Sequence, residues 1–76
     1  MAFDYSKLRG KIVEFFDTQQ AFAEAMKWSE RTLSLKLSGK RPWKQGDICR
    51  AIELLHINES DIPVYFFTTK VQNIEH

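Results

Sequence analysis

Residues 18–39, TQQAFAEAMKWSERTLSLKLSG, read as two short helices separated by a tight turn, and this pairing restricts the fold more than any other feature of the chain. Thr18 can cap a helix over residues 19–26, and the Ser29 hydroxyl can accept from the first turn of another that ends near Gly39. Ala21, Phe22, Ala25 and Met26 fall on the inward side of the first helix, and Ala23 is small enough to admit a close neighbour. Leu33 and Leu37 anchor the second. Phe22, Ala23 and Met26 against Leu33 and Leu37 let the pair cross at a large angle around a shared apolar contact.

The flanks extend an all-α pattern. Asp4 is available as N-cap for a helix over residues 5–16, with Tyr5, Leu8, Ile12, Phe15 and Phe16 facing the core. Pro42 disfavours helical geometry at Arg41, so residues 40–43 form a loop. A further helix runs from residue 44 or 45 to Leu55 with Ile48, Ala51, Ile52 and Leu55 as its stripe, weakened in its first turn by Gly46. Asn-Glu-Ser-Asp at residues 58–61 is a good helix start, but Pro63 then precedes Val64, Tyr65, Phe66 and Phe67, which predicts a turn or short helix and an apolar extension. With 76 residues and no linker or repeat, residues 1–69 make one domain and residues 70–76 a frayed tail. The expected architecture is a compact bundle of four to five short helices. Six Phe, two Trp and two Tyr supply its small core.

Cys49 is the single cysteine, which excludes an internal disulfide and a multi-cysteine zinc site and favours a reducing cytoplasm. No window approaches the roughly 18 apolar residues of a membrane span, so a soluble chain is expected. Cys49 and His56 stand about two helical turns apart, too far for direct hydrogen bonding. Cys49 is read as a small packed residue and His56 as a cation at a helix carbonyl end, without companions at metal-ligand spacing. There is no Gly-rich phosphate loop or paired-carboxylate spacing, so neither an enzyme, a metal nor a cofactor is expected.

The formal charge of +1 conceals an asymmetry. Lys27, Arg31, Lys36, Lys40, Arg41, Lys44 and Arg50 face only Glu30 and Asp47 across residues 27–50, a net +5 against −4 for the remainder. Such clustering gives a local field attractive to phosphates even when the whole molecule is near neutral.

Gln19, Phe22, Ala23, Met26, Ser29, Thr32, Leu33, Ser34, Leu37 and Gly39 together resemble the Cro/repressor-type helix-turn-helix proteins of bacteriophages and their bacterial relatives. The flanking helices extend the likeness to about residues 4–57, and FDYSKLRG and RPW resemble small phage-encoded proteins as well. The resemblance implies a lambda-repressor-like DNA-binding domain: a transcriptional regulator in the host cytoplasm that recognises a double-stranded operator sequence-specifically. In that family the turn residue is usually Gly. Here it is Lys27, for which a left-handed conformation costs roughly 1 kcal/mol, and a helical or slightly opened connection would relieve that cost. Trp28 packs in the core at the turn.

Carried over by position, the pattern places Gln19 on phosphate and turns Glu30, Arg31, Ser34 and Leu35 toward the bases, away from Leu33 and Leu37. Arg31 can donate twice to guanine, Glu30 can accept from cytosine or orient a basic neighbour, and Leu35 can cover a thymine methyl or belong to a protein contact. Thr32, Lys36, Ser38, Lys40, Arg41 and Lys44 are assigned to the phosphate backbone, with the Lys36 stem also able to cover apolar surface. Trp43 is read as a lid over the fourth helix. Ile62, Val64, Tyr65, Phe66 and Phe67 either complete the core or form a homodimer interface. The rival function is an antirepressor that keeps the fold and docks on a regulatory protein instead of DNA.

Overall fold

The computed structural model describes residues 3–69. Five helices follow one another: α1 (Ser6–Phe16), α2 (Gln19–Met26), α3 (Glu30–Leu37), α4 (Gln45–Leu55) and α5 (Ile62–Phe66), the last entered through a 3₁₀ turn at Glu59–Asp61. The architecture is all-α. An isolated antiparallel bridge pairs Phe3 with Thr69, and the Asp4 N–H donates to the Thr68 carbonyl at 2.6 Å, so the two ends of the described chain meet. The tail at residues 70–76 lies outside the described residues.

Local chemistry sets the helix boundaries. The Thr18 hydroxyl accepts from Ala21 N–H at 3.1 Å and the Ser29 hydroxyl from Thr32 N–H at 3.1 Å, each satisfying a first-turn donor. At the other end of α2, Trp28 N–H reaches the Ala23 carbonyl and Lys27 N–H the Glu24 carbonyl, a Schellman closure that puts Lys27 at φ 65°. No opened connection relieves the backbone here. The closing hydrogen bonds and the half-buried Trp28 ring packed on the core offset the left-handed lysine. Gly39, at φ 83°, closes α3 by the same pattern without that cost. Helix α3 ends at Leu37 with Ser38 as its C-cap, so Gly39 terminates it as expected.

The core joins Leu8 and Ile12 of α1, Phe22 of α2, Leu33 of α3, Leu55 of α4 and Phe66 of α5, all essentially inaccessible. Phe15 departs from expectation: it is 43% exposed and stacks on the His56 ring at 5.4 Å instead of entering the core. Its neighbours Leu8 and Ile12 already fill the inward stripe of α1, leaving Phe15 on the shoulder. His56 follows α4 at φ 56°, one residue beyond its last turn.

Pro63 sits in the first turn of α5, where its missing N–H is of no consequence, so the segment read as an extension is helical. That helix turns Phe66 inward at 1% exposure and leaves Val64 outside at 40%. Thermal unfolding should separate the two. Phe66→Ala is expected to cost about 3–5 kcal/mol, enough to abolish a cooperative transition in a domain of this size, whereas Val64→Ala should change stability by less than about 1 kcal/mol.

Candidate functional site

The side chains on and around α3 divide sharply into those committed to the interior and those left to solvent. Lys36 is committed. Its ammonium lies 2.8 Å from Asp47 Oδ2, donates to the Pro42 carbonyl at 3.2 Å and stands 4.7 Å from the Trp28 ring centroid, in a residue only 7% exposed. The expected phosphate contact by Lys36 is therefore corrected: every direction in which the ammonium could donate well is occupied within the fold. The pairing arises because Asp47 falls in the first turn of α4, where it also accepts from Lys44 N–H at 3.0 Å. Burial alone would raise the Asp47 carboxyl, but the Lys36 hydrogen bond, the Lys44 N–H and the charges of both lysines outweigh it, and the net shift is downward.

Trp43 completes the joint. Its indole N–H donates to the Lys36 carbonyl at 3.2 Å, and its ring meets Trp28 at 5.5 Å, Tyr5 at 6.2 Å and Phe66 at 5.1 Å. The loop carrying Pro42 and Trp43 is thus held to α3 from two sides. Arg9 separately ties α1 to the end of α3 by donating to the Leu37 carbonyl at 3.2 Å.

Among the candidates for base reading, Glu30, Arg31 and Ser34 are exposed along α3, while Leu35 is half-buried. The Leu35 carbonyl accepts from Ser38 Oγ, Lys40 N–H and Arg41 N–H, so the stretch after α3 is organised around it. Thr32 is half-buried and accepts from Ser29 Oγ at 3.0 Å; Gln19 is half-buried at the start of α2; Ser38 is exposed. Lys40, Arg41 and Lys44 are exposed, and no carboxylate among the described residues pairs with them. Arg50 leans back toward the Ala25 carbonyl at 3.4 Å. The basic band therefore survives in reduced form, as Lys27, Arg31, Lys40, Arg41 and Lys44.

The C-terminal candidates split. Phe66, expected as possible interface, is core; Ile62 and Tyr65 are half-buried against it; Val64 and Phe67 remain exposed, Phe67 at 49% with its ring edge-on to Phe3 at 5.6 Å. Phe67 also helps to wall two open hollows that share it and Trp43. One, of about 270 Å³, is lined by Phe3, Tyr5, Arg41, Pro42 and Phe66 besides; the other, of about 340 Å³, continues over Gln45, Ile48, Cys49 and Ile62. Cys49 is exposed there, correcting its expected packing in the core. Sequence reasoning grouped Ile62, Phe66 and Phe67 in one apolar cluster but did not join them to Trp43, Ile48 or Cys49. The available signal was Cys49 one position past Ile48 on the amphipathic helix, on the border of its stripe. Among the described residues no group of His, Cys, Asp or Glu is arranged to hold a metal, and no helix is long and apolar enough to cross a membrane.

Residues 1–69 match the family described as "Protein of unknown function (DUF739)". The fold is similar to the solution structure of the modulator of repression of the temperate bacteriophage TP901-1 from Lactococcus lactis, with a TM-score of 0.79 and 53% identity over 95% of this chain and 97% of that one. No curated protein matches.

The Lys36–Asp47 pair gives a signed pH prediction. A carboxyl lowered in the folded state contributes stability that is complete above its ordinary value of 3.8 and disappears as pH falls through the folded value. Melting temperature against pH should therefore fall more steeply below about pH 4 in the native chain than in Asp47→Asn. Asp47→Ala at neutral pH, which leaves the ammonium without its counter-charge, should cost about 2–3 kcal/mol.

Proposed function

We propose that this chain, which belongs to the DUF739 family, regulates phage repression by docking on another regulatory protein. The observation that carries this reading is the 53% identity, over nearly the whole of both chains, to a phage protein known as a modulator of repression. To modulate repression is to act on a repressing activity, and direct contact with the repressor protein is the simplest physical route to it. The surface chemistry supports the same direction. Val64 and Phe67 stay 40% or more exposed at the C-terminal end of the described chain, next to the hollows that Phe67 lines.

A second reading, operator binding by the chain itself, is favoured by one observation: Glu30, Arg31 and Ser34 project from a single helix with the unpaired Lys40, Arg41 and Lys44 following it. The two readings differ in what the chain does alone. Docking requires a difference in affinity between repressor states and no operator affinity of its own. Reading DNA requires both a salt-dependent phosphate term and a base-specific term.

A mobility-shift titration distinguishes them, using the repressor of the same phage and its operator duplex at fixed salt. Under the docking reading the chain alone leaves the duplex unshifted and, at equimolar ratio, changes the position or midpoint of the repressor–operator band. If instead the chain alone shifts the duplex, Arg31→Ala should lose about 1–3 kcal/mol of discrimination at one base pair and Lys40→Ala should weaken all sequences alike. That second pattern would displace the docking reading.

A further inference from the structure

The two hollows adjoin at Trp43 and Phe67, which line both, and their chemistry is mixed in a specific way. Aromatic and aliphatic groups floor it: Tyr5, Trp43 and Phe66 on one side, Ile48 and Ile62 on the other. The guanidinium-bearing Arg41 lines its rim, and the exposed Lys40 and Lys44 flank Arg41 and Gln45 in the chain. No acidic residue lines either hollow, and the ion pairs among the described residues use Lys11 and Lys36; Lys44 feels the Asp47 carboxylate without bonding to it, while Lys40 and Arg41 make no ion pair among the described residues. The floor is rigid because the Trp43 indole N–H is tied to the Lys36 carbonyl and Trp28, Tyr5 and Phe66 hold its ring.

We infer that this groove is a docking site for an acidic amphipathic helix of a partner protein. The inference rests on the protein-docking reading above and names the surface and the partner chemistry for it. Two adjoining apolar hollows accept two anchors from one face of a helix, at i and i+3 or i+4, and the intervening acidic side chains meet the cationic rim. A DNA duplex fits the floor poorly, since it presents a charged backbone and keeps its bases stacked inside the helix. Rim cations meeting acidic side chains accelerate encounter and reject basic partners, while the anchors in the hollows set the residence time.

The probe is a fluorescein-labelled helical peptide with leucines at i and i+4 and glutamates elsewhere, titrated with the intact chain by anisotropy. Its counterpart carries lysine at every glutamate position. The glutamate peptide should bind at least about tenfold tighter than the lysine peptide, and binding should weaken about tenfold or more on Cys49→Glu and on Arg41→Glu. Both positions are exposed, so the melting temperature should stay near the native value. The tryptophan indole N–H of Trp43 should shift on titration in a heteronuclear spectrum. Equal affinity for the two peptides, or unchanged affinity in both variants while they remain folded, would overturn the groove assignment. The docking reading is judged separately: if both variants still engage the repressor as the native chain does, a different surface docks and the assignment alone fails. If the native chain does not engage the repressor at all, the broader reading fails.

Discussion

The ammonium of Lys36 holds together the end of α3, the loop after it and the start of α4. It is a cation on α3, the second helix of a helix pair, and instead of pointing outward it is clasped by Asp47, the Pro42 carbonyl and the Trp28 face. Three elements converge on it: the turn between α2 and α3, the loop after α3, and the first turn of α4. A buried ion pair contributes little net stability on average, because desolvation offsets most of the Coulombic gain. Its larger consequence here is positional. With Lys36 fixed, Trp43 can close on its carbonyl, and the aromatic floor between α4 and α5 acquires a defined shape.

The same contact changes the electrostatic picture. Lys36 and Asp47 neutralise each other inside the fold, and Arg50 reaches back to α2, so the basic band is thinner at the surface than along the chain. What remains is a short group of unpaired cations around the end of α3 and the start of α4, beside the exposed Phe67 ring. Charge next to aromatic surface is the chemistry of protein recognition more than of phosphate tracking. This agrees with the similarity to a phage protein whose name refers to repression rather than to an operator.

Much of the fold is legible in the residues. Thr18 and Ser29 announce their helices because capping is local, and the stripe Ile48, Ala51, Ile52 and Leu55 announces α4 because helical periodicity is local as well. Phe66 and Val64 are not separable that way: both are apolar, and only the orientation of α5 against α1 decides which is buried. Lys36 is illegible for a similar reason, since its partner Asp47 is eleven residues away and becomes a neighbour only when the loop folds over. Lys27 shows a further limit. Its left-handed backbone is unfavourable locally and is accepted because the Trp28 N–H and ring find partners across the turn. The candidate site mixes both kinds of residue: Glu30, Arg31 and Ser34 are legible as the outer edge of an amphipathic helix, whereas the surface joining Cys49 to Phe67 exists only in three dimensions.

Protein docking and DNA reading place contact on different amides of the same small chain, which makes the spectrum of the bound state decisive. The most direct measurement is a heteronuclear titration of the isotopically labelled chain with the unlabelled repressor and, in a parallel sample, with the operator duplex. The expected result is saturable perturbation by the repressor at Trp43, Ile48, Cys49 and Phe67, with the duplex leaving the spectrum unchanged. Saturable perturbation by the duplex at Glu30, Arg31 and Ser34, with no response to the repressor, would contradict protein docking.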